Sequence, residues 1–421
     1  MVLAMQVLQQ VFWQFGTLLY APVFWLTVFL VFLQTRQRAK RKQEMFQLRR
    51  EPIGKMVLGT VAAGLAGGML ASALLLLLGV TLDQIGLEYL WMIALLLLLV
   101  RQRFLCFAYS GGILAVCNCL WGWPCLDGAQ LLATVAVLHC TEAFLVLTTG
   151  HLNALPIYLQ NGRQQITGGF LLQMVWPLPL VMLMGLSGAA ALPQAGFMLM
   201  PDWWPVLGNG QRSPLAVLYM LTPVLAALGY SDLAVSHRMK EKTRKSAFLL
   251  LLYSMTLLLL VLLTQRSAFG LLLPALFAPL GHEAVIWYGK RGELQDNSRF
   301  IAPERGVLIL DVQHGSPAAR AGLRSEDWIF QLDGKPVENR QQFLRQQYAL
   351  PSMVQVGYVR RGRRKQCRMS MGRWSQPGII TAPDRQCHIY WSFGEDSGLA
   401  KLIYKKLAKT LKKTGDCALI G

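Results

Sequence analysis

Residues whose types and spacing could do chemistry are few in the long apolar part of this chain. The sole His-Glu pair reads His282-Glu283-Ala284-Val285-Ile286. Zinc-dependent peptide hydrolysis on a helix calls for H-E-x-x-H, in which two His one turn apart hold the metal beside a Glu base. Ile286 stands where the second His belongs. His139 and Glu142 lie at i and i+3 inside an apolar run, on one face of a candidate helix. Ionisable groups are costly in hydrocarbon, so this pair reads either as part of a proton or ion path or as a Glu kept neutral or internally paired. Of eight cysteines, Cys106, Cys117, Cys119, Cys125 and Cys140 sit in or beside apolar runs, and none forms a C-x-x-C pair. They read as small apolar fillers in a reduced compartment. These patterns yield no catalytic residue, no metal ligand set and no cofactor.

The elements that must position such groups are set by composition. The chain has 421 residues, 54% hydrophobic and only 15% charged, with a formal charge of +19. That charged share is well below the average of a soluble domain, roughly 25%. Apolar runs long enough to cross a bilayer as helices occur at Val11 to Leu33, Met56 to Val80, Glu88 to Val100, Phe104 to Trp121, Gln130 to Thr149, Gly168 to Ser187, Pro214 to Ser231, Ser246 to Thr264 and, more weakly, Phe269 to Tyr288. The expectation is an α-helical polytopic membrane sector over residues 1–292 with about eight or nine helices. Small residues Gly64, Gly67, Gly68 and Ala71 suit close helix–helix approach. Pro177 and Pro179 are read as kinks in a span. Basic clusters at Arg36 to Lys55 and Arg238 to Lys245 fall between runs, as cytoplasmic loops do, and Lys290 and Arg291 place the C-terminal part in the cytoplasm. The positive charge is accounted for in this way, and nucleic acid is not expected as a partner. The first residues read as a signal anchor rather than a cleaved leader.

After Asn297 continuous apolar runs give way to alternation, and 20 of the 41 Lys and Arg follow Phe300. Residues 293–302 read as a linker. Gly306 to Val312 reads as a strand, Ser316-Pro317-Ala318-Ala319 as a capped helix start ending at Gly322, and Trp328 to Leu332 as a strand closed by the turn Asp333-Gly334. A second helix begins at Asn339. Two alternating segments around Arg361-Gly362 form a hairpin. Residues 373–421 form a basic extension, in which 396–415 set Leu399, Leu402, Ile403, Leu407 and Leu411 on one helical face among lysines. Such a helix suits an anionic membrane surface, or packs on the domain.

This order, with Gly306-Val307-Leu308-Ile309-Leu310-Asp311-Val312, Gly315-Ser316-Pro317-Ala318-Ala319-Arg320-Ala321-Gly322-Leu323 and Asp333-Gly334-Lys335-Pro336-Val337, resembles a bacterial PDZ domain over residues 303–372. The resemblance implies a small α+β domain, a partly open β-barrel with two helices, that binds an extended or C-terminal peptide as an added strand. It places the carboxylate-capturing loop at Glu304, Arg305, Gly306 and Val307. The groove then lies between the strand starting Leu308-Ile309 and a helix carrying Gln341, Phe343 and Leu344. A membrane sector with a PDZ domain also resembles site-2-type intramembrane proteases. Asn153-Ala154-Leu155-Pro156-Ile157 with Asn161-Gly162 echoes half of their site, but Asn161 replaces the ligand Asp and the order relative to His282 is reversed. The whole arrangement, with Gly150-His151-Leu152-Asn153-Ala154-Leu155-Pro156 and Gly281-His282-Glu283, resembles the MinJ-type division-site topological determinants. That resemblance implies a non-enzymatic membrane scaffold with DivIVA-type and Min-type partners. The competing readings are a transporter or a site-2-type protease regulated by its PDZ domain.

Overall fold

In a computed structural model of the chain, the residues described are 2–49, 51–160, 165–186, 204–207, 218–295 and 298–384. The first helices are α1 (Val2–Tyr20) and α2 (Pro22–Phe46), which meet at a 66° bend. The expected first span is therefore divided, because Ala21 before Pro22 is held extended. Next come α3 (Ile53–Leu78), α4 (Leu87–Val100), α5 (Phe107–Trp121) and α6 (Gly128–Thr149). Three strands follow, β1 (Leu155–Gln160), β2 (Ile166–Leu186) and β3 (Leu218–Ala234), then α7 (Met239–Thr264) and α8 (Ala268–Gln295). Among the described residues, α3, α6, α7 and α8 are long and apolar enough to cross a membrane, and α1 with α2 makes a fifth if the bent pair counts as one. At 14 and 15 residues, α4 and α5 fall short of the roughly 20 a helix needs.

Two expected helical spans are strands. The described parts of the runs Gly168 to Ser187 and Pro214 to Ser231, residues 168–186 and 218–231, lie in β2 and β3, which pair antiparallel from Phe170↔Ala234 to Leu186↔Leu218 in a three-stranded sheet ordered β1-β2-β3. Continuous apolar runs fit a doubly buried strand as well as a helix, and here prolines decide. Beyond Leu171, the last residue of β2 that pairs with β1, odd-numbered positions of β2 turn their backbone groups away from β3, towards α3. Ser72 Oγ accepts from the Val181 N–H, Leu82 N–H donates to the Leu183 carbonyl, and Asp83 accepts from the Gly185 N–H. Pro177 and Pro179 occupy that same edge, where a missing N–H leaves no ladder bond unmade. They do not kink a helix. Gly64 and Gly68 lie against their carbonyl oxygens so closely that a Cβ at either would overlap them. Gly64 and Gly68 thus serve a helix–strand contact, while Gly67 faces Leu145 of α6 as well as Leu178 of β2, so the expected helix–helix approach holds there. Non-helical backbone buried in this way is compatible with membrane depth.

The C-terminal unit contains β4 (Val307–Val312), α9 (Pro317–Arg320), β5 (Trp328–Leu332), β6 (Lys335–Pro336), α10 (Arg340–Gln346), β7 (Met353–Arg360), β8 (Arg363–Ser370) and β9 (Ile379–Thr381). Its sheet runs β8-β7-β5-β4-β9, with β6 on β5. Ser316 caps α9 through the Ala319 N–H, and Asn339 caps α10 through the Gln342 N–H. Asp333-Gly334 and Arg361-Gly362 both take positive φ at the two positions, as tight hairpin turns require. Val307, Ile309, Ile329, Phe343, Val356 and Met369 form the core. The sheet ends beyond the expected boundary at Gly372, because β9 returns to pair with β4. The basic helix expected over 396–415 lies outside the described residues.

Candidate functional site

The groove expected beside β4 depends on an open strand edge, and β4 has none. Val307 and Leu308 pair with Ile329 and Trp328 of β5, while Ile309, Asp311 and Val312 pair with β9. The Leu308 carbonyl accepts from the Ala382 N–H. The loop before β4 is also committed. Gly306 donates its N–H to the Glu338 carbonyl, and the Arg305 carbonyl accepts from Trp328 Nε1 at 2.7 Å. Gly306 has φ +83°, and the space a side chain would fill is taken by Trp328 and the Ile329 carbonyl. An internal close approach at this position therefore requires glycine. Of the other expected groove residues, Val307, Ile309 and Phe343 are core, Leu344 packs against that core, and Glu304, Arg305 and Gln341 are exposed.

The sheet has its free edge one strand further out. Among the described residues β9 has a strand neighbour on one side only, and α10 starts beside it: Arg340 Nε donates to Thr381 Oγ1 at 3.0 Å. Into this slot comes Tyr158 of β1. Its hydroxyl donates to the Thr381 carbonyl at 2.7 Å, Arg340 lies over its ring at 5.5 Å, and Phe46 meets the ring edge-on. Beside it, the Gln313 amide brackets the Arg49 backbone, accepting from its N–H at 3.3 Å and donating to its carbonyl at 2.5 Å. Sequence reasoning missed β9 because six residues separate Gly372 from it and only three form strand.

Charged side chains also tie the two parts together. Lys42 in α2 meets Asp311 of β4 at 3.3 Å and Glu51 at 2.9 Å. Glu326 receives Arg238 at 2.6 Å and also Arg299, at the rim of a cleft of about 1230 Å³ that carries Lys240, Arg324 and Arg363 as well. Burial opposes ionisation of Glu326, but hydrogen bonds from Arg238 and Arg299 outweigh it and hold the carboxyl down to about 2.

Within the helical part the structure joins residues that linear spacing separates. His282 has its partner not one turn along α8 but in His139 of α6, with Cys106, the residue before α5, completing the group. Cys106 is thus no mere filler, and these three could hold a metal. Glu142 is not among the three. Glu283 instead accepts from the Tyr109 hydroxyl at 2.7 Å and pairs with Arg103 at 2.9 Å.

The C-terminal unit is a six-stranded sheet with two short helices. Residues 293–370 match the family described as PDZ domain. A PDZ domain is therefore present in this chain. Over 71 residues the chain is 39% identical to "Putative serine protease HhoA" of Synechocystis sp., a match covering 16% of this chain and 18% of that protein. The chain thus spans less than a fifth of the length of that curated relative. Solved PDZ domains of SdrC-like proteins are also similar. The one from Listeria monocytogenes is 22% identical and covers 19% of this chain and 90% of its own, with a TM-score of 0.17. The one from Listeria innocua is 20% identical and covers 20% and 99%, with a TM-score of 0.17.

Proposed function

We propose that this chain is a membrane-embedded, non-enzymatic scaffold whose PDZ domain binds extended or C-terminal segments of partner proteins along β9, with access controlled by its own Tyr158. The observation that carries this reading is that β9 is an edge strand beside α10, met by a side chain rather than by another strand. A peptide adding to that edge gains main-chain hydrogen bonds in exchange for the Tyr158 hydroxyl bond and the packing of its buried ring. The apolar helices support residence in a membrane, multi-pass, and Lys290 and Arg291 at the end of α8 support a cytoplasmic PDZ domain. Division-site placement, with DivIVA-type and Min-type partners, is the finer form of the proposal and rests on the resemblance of the sequence. Anionic lipid remains the proposed contact of the 396–415 segment.

The test uses the full chain in bilayer nanodiscs and a random peptide library with free C-termini. Wild type captures a subset of peptides, and Tyr158→Ala captures the same subset at least about tenfold more tightly. Capture by neither protein contradicts the proposal. For the finer form, loss of the chain in its host misplaces septa; correctly placed septa contradict it.

A further inference from the structure

Cys106 Sγ lies 3.1 Å from His139 Nε2 and 3.6 Å from His282 Nε2. Both imidazoles are buried, 3% and 9% exposed. His139 Nδ1 sits 2.7 Å from the Val135 carbonyl, one turn back in α6, so Nδ1 carries the proton and Nε2 the lone pair. His282 Nδ1 faces the Tyr109 hydroxyl at 3.4 Å. Because that hydroxyl gives its proton to Glu283, its oxygen is left to accept from His282 Nδ1–H, and Nε2 of His282 also carries a lone pair.

Two imidazole lone pairs therefore converge on one sulfur. A thiol has a single proton and can serve only one of them; the other would face the sulfur lone pairs, which is unfavourable where water cannot help. A cation at the centre turns all three contacts into bonds. One thiolate and two neutral imidazoles are a donor set for Zn²⁺. With Zn–S about 2.3 Å and Zn–N about 2.0–2.1 Å, tetrahedral angles separate sulfur from nitrogen by about 3.5 Å. The observed separations bracket that value. Tyr109 and the Val135 carbonyl are the outer groups that fix ring orientation in such sites.

We infer that Cys106, His139 and His282 bind one divalent ion of the zinc class, which pins the start of α5 to α6 and α8. The site goes beyond the peptide-binding reading and stands or falls independently of it. The test is to titrate the full chain, in detergent and stripped by chelator, with Co²⁺ and then Zn²⁺. One equivalent of Co²⁺ gives a thiolate-to-cobalt charge-transfer band that Zn²⁺ abolishes. Cys106→Ser removes the band, Cys117→Ser leaves it, and Tyr109→Phe weakens Zn²⁺ binding about tenfold. A readout free of variants is alkylation of Cys106 in the wild-type chain, followed by mass spectrometry, which Zn²⁺ slows and chelator restores. Absence of the charge-transfer band, its persistence in Cys106→Ser, alkylation indifferent to Zn²⁺, or retention of copper with Zn²⁺ and Co²⁺ excluded would each overturn the assignment.

Discussion

Among the described residues, β2 and β9 both present a strand edge that no other strand covers over most of its length, and the molecule closes them by different means. Along β2 the cover is backbone and small side chains: α3 sets Gly64 and Gly68 against the Pro177 and Pro179 carbonyls, and Ser72 supplies the acceptor for Val181. Along β9 the cover is made of long side chains, Tyr158 and Arg340, that bond to Thr381. The first closure is made by the fold's own backbone; the second is the one that the proposed peptide would replace. An edge buried among apolar helices has no water to satisfy it, whereas an edge on a recognition domain is useful only if it can be uncovered.

Enlarging the small residues breaks the first closure outright. Gly68→Leu drives a side chain into the Pro179 carbonyl and costs about 3 kcal/mol or more, read as loss of monodisperse protein after solubilisation. Ser72→Ala is gentler, since it only strands the Val181 N–H, and lowers stability by about 1–3 kcal/mol in thermal unfolding. On the second edge the same kind of truncation helps: Tyr158→Ala leaves the fold intact and raises peptide capture about tenfold, equal to about 1.4 kcal/mol. If it unfolded the chain as Gly68→Leu does, the two edges would not differ as described. The smallest effect concerns pH. Glu326 is ordinarily protonated near 4.5 and is held down to about 2 by Arg238 and Arg299 despite its burial. Its link between the PDZ domain and the residues around α7 is therefore fully present above about pH 4.5 and is lost as pH falls towards 2. Glu326→Gln removes that part of the acid dependence, measured as the shift in unfolding temperature between pH 6 and pH 3, about one degree or more.

How much of this could be read from the sequence varies with the element. The PDZ strands and helices were legible because Ser316-Pro317, Asp333-Gly334 and Arg361-Gly362 carry local turn and cap chemistry that no distant contact overrides. The groove was not, since the partner strand that makes β4 internal arrives from beyond Gly372 with three residues. β2 reads as a helix because a strand buried on both faces lacks alternation, and β3 because its run is apolar throughout even though most of it is only half-buried or exposed. The signal that could have identified β2 was the pair Pro177 and Pro179: two positions apart they share one strand edge, whereas in a helix they interrupt two different hydrogen bonds. The Cys106, His139 and His282 group was invisible to motif spacing, because its members lie 33 and 176 residues apart on different elements.

Hydrogen exchange over residues 376–384, in the full chain in nanodiscs, tests the central claim most directly. Thr381 turns its carbonyl away from β4 to Tyr158, so the outward amides of β9 are those a bound peptide would cover. Adding a captured free-C-terminus peptide should slow exchange in this segment, more strongly in Tyr158→Ala. Peptide binding that leaves residues 376–384 unchanged and protects another surface would contradict the account.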